Sequence, residues 1–94
     1  HNIYKGRITA VEPSLRAAFV EIGTGRNGFL PFGDIHPEYY RDDLDERSRR
    51  LVEEERWKEL RIEDVIRKGQ EVLVQVVKEV TGNKGANMTT YLSL

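Results

Sequence analysis

One stretch, Glu71–Val80 (EVLVQVVKEV), limits what this chain can fold into more than any other. Five of its ten residues are valine. β-Branched side chains crowd the preceding turn of a helix but pack well on a pleated sheet. The run is nearly all apolar in its middle, and Arg67-Lys68-Gly69 breaks the chain before it, so it reads as a strand. A strand needs partners, and the sequence offers four. Ile3–Val11 alternates, with Tyr4, Ile8 and Ala10 on one face and Lys5, Arg7 and Thr9 on the other. After the turn residues Glu12-Pro13-Ser14, Ala17–Ile22 puts Ala18, Val20 and Ile22 inward and Phe19 and Glu21 outward. Gly28–Phe32 is a short third strand with Leu30 inward and Phe29 outward, ended or held to an edge by Pro31. Beyond the turn Thr81–Gly85, Met88–Leu94 alternates Met88, Thr90 and Leu92 against Thr89, Tyr91 and Ser93.

Between the third and fourth strands the alternation stops. Asp42–Leu60 is rich in Glu, Arg, Leu and Lys and lacks glycine and proline, which favours helix. No wide apolar stripe emerges, so the segment is predicted as one or two solvated helices, with a disordered stretch as the alternative, in an acidic insertion over roughly residues 41–61. Ile62–Ile66 follows as a short helical turn that packs Ile62, Val65 and Ile66 under the strands. Five strands with a charged, helical insertion between the third and fourth describe an all-β chain of OB-fold type, a five-stranded Greek-key barrel. A six-stranded or SH3-like small barrel fits the same periodicity.

Ninety-four residues suit a single domain, 1–94, and can just close one core without staples. The absence of cysteine removes disulfides and thiolate metal sites and fits a reducing cytoplasm. No apolar run approaches the roughly 20 residues of a membrane span, and no signal peptide opens the chain, so a cytoplasmic location without a membrane partner is expected. His1 in place of an initiator methionine points to an excised segment. A net charge of −1 argues against a polybasic nucleic-acid binder but leaves room for a local basic groove.

Several motifs dissolve on inspection. Gly23-Thr24-Gly25-Arg26-Asn27-Gly28 spells G-x-G-x-x-G, yet strand-like Phe29-Leu30-Pro31-Phe32 follows where a dinucleotide site needs a helix, so the glycines read as a hairpin turn. Asn87-Met88-Thr89 is formally a glycosylation sequon with nothing else to suggest secretion. His36 with Asp34, Asp42 and Asp43 matches no metal-ligand spacing. No nucleophile–base pair or carboxylate dyad is legible either, so neither catalysis nor a cofactor is expected of this chain. The informative feature is two aromatics on the outer face. Phe19 and Phe29 both fall opposite the core residues that flank them, where phenyl rings can stack on bases while cations hold phosphates. Lys84 lies in the turn before the last strand and can serve the same groove; Arg26, Lys78, Lys5 and Arg7 are further basic candidates. A shifted strand register, or a small cluster beneath the insertion, would explain the same two rings without RNA.

The residues also carry a family resemblance. Asn2–Ile8 (NIYKGRI), Pro13-Ser14-Leu15 with Ala17-Ala18-Phe19-Val20, Gly28-Phe29-Leu30-Pro31, Gly69-Gln70-Glu71-Val72 and Gly82-Asn83-Lys84-Gly85-Ala86 together resemble the S-one RNA-binding domain of bacterial ribonucleases of the E/G family. The likeness covers nearly the whole chain except Arg41–Arg61, where the family is expected to have a shorter connection. It implies a domain that binds single-stranded RNA and clamps it over a catalytic domain elsewhere, in RNA processing and mRNA decay. Phe19, Phe29 and Lys84 are the residues it links to RNA contact. It further implies a magnesium-dependent endoribonuclease as parent, with the metal-binding aspartates outside this chain, and an oligomeric assembly. The expected partners are single-stranded RNA and the parent's remaining domains. The competing readings are a protein-interaction or oligomerisation module that buries the outward phenylalanines, and an OB-fold of the translation machinery.

Overall fold

The computed structural model describes residues 3–23, 25–79 and 86–91, with backbone alone at 78, 79 and 86. Its strands are β1 (Ile3–Glu12), β2 (Ala17–Glu21), β3 (Asn27–Pro31), β4 (Glu71–Glu79) and β5 (Ala86–Thr90). They pair in the order β1-β2-β3-β5-β4, and β4 returns to β1 to close a barrel. Every pairing is antiparallel except β3 with β5. The last strand is thus laid between the third and fourth, the Greek-key order of an OB-fold.

Alternation fills the barrel as the sequence predicts. Ile8, Val20, Leu30, Val72, Val74 and Met88 each keep no more than 2% of their surface exposed. Burying a side chain of this size stabilises by about 1.5–3 kcal/mol, so these six set much of the fold's driving force. Gly28 makes room for one of them: a Cβ there would overlap the Met88 thioether.

The first strand departs from strict alternation. A bulge between Ile8 and Ala10 shifts the register, so Ile8 pairs with Val20 but Ala10 pairs with Phe19. Past the bulge Val11, opposite Ala18, packs against the core in place of Ala10. One extra residue in a strand flips every later side chain to the other face, and nothing in the sequence marks the bulge. Ala17 is a second departure, because it is fully buried although it alternates with Ala18.

The connection from β3 to β4 is shorter in helix and better packed than expected. Only Glu46–Glu53 forms an α-helix (α1); Pro37–Tyr39 and Trp57–Glu59 are single 3-10 turns, and Ile62–Val65 is one α turn (α2). Asp45 caps α1 by accepting from the Ser48 amide at 2.7 Å and the buried Ser48 hydroxyl at 3.1 Å. Such a cap contributes about 1 kcal/mol. Leu51 and Leu60 are buried in the barrel's own core cluster, with Leu44 and Val52 packed against it, and Ile62, Val65 and Ile66 beneath as predicted. The segment is therefore not a solvated arm. Nor is it strongly acidic: residues 41–61 hold eight Asp and Glu against seven Lys and Arg. Several pair locally, Arg56 with Glu54 and Glu59, and Arg50 with Glu46. Asp43 bridges Arg41 at 2.8 Å and Arg67 at 3.1 Å, and the Arg41 hydrogen bond, foremost, pulls its carboxyl down to about 2. The apolar residues escaped notice because each short element contributes one or two, too few to build a helical stripe.

Candidate nucleic-acid interface

Phe19 and Phe29 are direct cross-strand partners on β2 and β3. Opposite residues in a sheet share a face, so the two rings meet, with centroids 5.8 Å apart in an edge-on arrangement at 66°. Both are half-buried, and neither belongs to the core cluster nor packs against it. Val20 and Leu30, their neighbours in sequence, are fully buried. The register predicted for both strands holds, so a strand slip does not account for the outward rings.

The backbone register extends this pair into a row that crosses all five strands. Ala10 on β1 faces Phe19, Phe29 faces Asn87 on β5, and Asn87 faces Lys78 on β4. With strands about 4.8 Å apart, Lys78 stands roughly 10 Å from Phe29 along the row. Asn87 is the member the sequence reading missed. Its only sequence signal was the sequon, and the parallel pairing that sets it beside Phe29 joins residues far apart in the chain.

The other basic candidates are placed unequally. Arg26 closes the β2–β3 hairpin: its amide donates to the Gly23 carbonyl at 3.0 Å, and its carbonyl accepts from Ile22 at 3.0 Å. Gly23 and Gly25 hold φ of +90° and +73° in this turn, values that favour glycine, and a strand follows it. The G-x-G-x-x-G string is a hairpin, with Arg26 exposed just past the strand pair that carries the phenylalanines. Lys5 is not brought to the row. It pairs with Leu73 on β4, its ammonium lies 3.7 Å from Glu71, and it precedes Ala10 by about 17 Å of strand. Arg7 shares the Glu71 carboxylate at 3.6 Å. Lys84 lies outside the described residues.

Among the described residues no three His, Cys, Asp or Glu side chains gather to hold an ion. His36 Nδ1 accepts from the Glu38 amide at 3.1 Å, and Asp43 is engaged by its two arginines. Magnesium does not fit the residues described here. Among them, too, no helix is long and apolar enough to cross a membrane.

In OB-fold barrels generally, the face of the second and third strands binds oligonucleotides or oligosaccharides. The family model of the S1 RNA binding domain matches residues 1–90. The chain belongs to the S1 RNA binding domain family. As an S1 domain it is similar to ribonuclease E of Haemophilus influenzae, 52% identical over 93 residues, and to ribonuclease E of Escherichia coli, 50% identical over 93 residues. Ribonuclease G of Haemophilus influenzae is 43% identical over 95 residues. Each match covers 99% of this chain, so the resemblance to E/G ribonucleases extends across residues 41–61 instead of skipping them. The S1 domain spans only 9% and 8% of the two ribonuclease E chains and 18% of the ribonuclease G chain.

Proposed function

We propose that this S1 domain binds single-stranded RNA across the Phe19–Phe29 face, as part of an E/G-type endoribonuclease acting in RNA processing and decay. On this reading it holds substrate for a catalytic domain outside the chain, and it cuts nothing itself. The observation that carries the proposal is a contacting pair of phenylalanines that stands clear of the core and shares a row with Asn87 and Lys78. A base laid on a phenyl ring contributes about 1–3 kcal/mol, and any base has the apolar face required. Asn87 offers an amide for base edges, while Arg26, Lys78 and Lys84 supply phosphate-neutralising charge. Lys5, paired to Glu71 and distant along the strand, is the weakest of the basic candidates.

The reading includes single-stranded RNA and the parent's other domains as partners, a magnesium ion in the parent's catalytic domain, a cytoplasmic location and an oligomeric parent. The similarity to ribonucleases E and G over the whole of this chain supports it. Titration of labelled single-stranded RNA followed by amide chemical shifts tests the site directly. Shifts should concentrate at Phe19, Phe29, Asn87 and Lys84. Lys84→Ala should flatten the salt dependence of log affinity by roughly 0.7, the single-strand value for one phosphate. Concentration-dependent broadening at the two phenylalanines without RNA would favour a protein-binding face instead.

A further inference from the structure

Where β3 ends, the surface sinks into a cavity of about 520 Å³ lined by Arg16, Phe32, Ile35, His36, Tyr40 and Trp57. Its walls are held in place. The Arg16 guanidinium lies 4.8 Å over the Phe32 ring and donates to the Leu60 carbonyl at 2.8 Å and the Trp57 carbonyl at 3.4 Å. Phe32 and Tyr40 face each other at 6.0 Å. Burial, foremost, raises the Tyr40 hydroxyl's pKa above its ordinary value. His36 accepts at Nδ1, which leaves Nε2 as the N–H of the neutral ring. Among the described residues no carboxylate lines the cavity. Flat aromatic walls, one fixed cation and a volume in the range of small-ligand sites suit a planar, neutral ring on an anionic strand.

The cavity lies at the end of the strands that carry the phenylalanine row. The β2–β3 ladder runs from the Phe19–Phe29 pair through Ala17–Pro31 to the bond from the Phe32 amide to the Arg16 carbonyl at 2.8 Å. The parallel strand β5 leads the same way. Asn87 adjoins Phe29, and Thr90, three residues on, accepts from the His36 amide at 2.8 Å and donates to the Asp34 carbonyl at 3.0 Å. Both strands carry the row to the cavity's rim, about 10 Å away at strand rise. We infer that the cavity is a second base-binding subsite, taking a nucleobase of the same RNA strand that lies on Phe19 and Phe29; the inference rests on the function proposed above.

Trp57 reports on it, being the chain's sole tryptophan, in the cavity wall and 39% exposed. Its emission is followed on the intact chain while ribo-oligomers of about 4 to 16 nucleotides, the span of OB-fold sites, are added, with amide shifts recorded in parallel. Long oligomers should quench Trp57, whereas the shortest should shift the Phe19 and Phe29 amides without doing so. Trp57→Leu should weaken long oligomers by roughly 5- to 150-fold, the range of one lost stacking contact, and spare the short ones. Trp57→Phe should restore most of the affinity, and the emission readout needs no variant should Trp57→Leu fold poorly. Normal shifts at the phenylalanines with unchanged Trp57 emission and equal Trp57→Leu affinity at every length overturn the subsite and leave the row standing. No shift at the phenylalanines at any length overturns both. Emission that changes with protein concentration alone assigns the cavity to a second copy and overturns the nucleobase.

Discussion

Replacing Phe19 by alanine separates folding from RNA contact, because the structure assigns a different magnitude to each. A phenylalanine in the core costs about 3–5 kcal/mol to truncate. Phe19 is half-buried, stands off the core cluster, and loses chiefly its edge-on contact with Phe29, a kind of pair worth about 0.5–1.5 kcal/mol beyond area. The folding cost should therefore be about 1–2 kcal/mol, out of the roughly 5–14 kcal/mol expected for a domain of this length. The RNA cost should be about 1–3 kcal/mol, the worth of one stacked base. Val20→Ala, one residue away and fully buried, should reverse the pattern, with about 2–3 kcal/mol lost in folding and little direct loss in binding. In Phe19→Ala/Phe29→Ala the folding costs should sum to less than the two singles, since each single already breaks the same ring contact. Urea melts give the folding terms, and fluorescence anisotropy with labelled single-stranded RNA, at a temperature where every variant is folded, gives the binding terms. A Phe19→Ala that loses 3 kcal/mol or more of stability, by the core scale, while binding RNA like the parent would refute the argument.

Three further perturbations test the packing. Deleting Asp42–Leu60 should abolish cooperative unfolding, and Leu60→Ala alone should cost about 2–5 kcal/mol in a urea melt, because Leu51 and Leu60 belong to the barrel core; a deletion that melts like the parent would restore the solvated-arm reading. Gly28→Ala should destabilise by about 1–3 kcal/mol through overlap with Met88, and Met88→Ala in the same chain should recover part of that loss, read as non-additivity in paired melts. Asp43 titrates near 2 in the folded chain against an ordinary 3.8, so its arginine bridges stabilise above that ordinary value and are lost as pH falls towards 2. Stability of Asp43→Asn should therefore fall less steeply than that of the parent over this window in acid melts, and identical slopes would show that the bridges contribute nothing.

The sequence by itself determined the run of strands, most of their inward faces and the outward pair of rings. Each of these depends on a period of two along a short segment, which local spacing of Val20, Leu30, Phe19 and Phe29 displays directly. It also determined the hairpin at Gly23–Gly28, since a strand in place of a helix after the glycines is a local fact. The tertiary structure alone decided the rest. The bulge that moves Ala10 to the Phe19 row inserts a single residue into a ladder whose partner strand must be known first. The place of Asn87 beside Phe29 comes from the parallel closure of the barrel, a contact between residues 58 positions apart that no local pattern encodes. Burial of Leu51 and Leu60 is likewise a matter of what lies opposite. Their spacing in short, interrupted turns has no period, and only the assembled core cluster shows where their apolar surface goes. Arg16 makes the same point at the cavity. Its charge is visible in the sequence, but its position over Phe32 and under the Trp57–Leu60 backbone is fixed by elements that meet only when the barrel has closed.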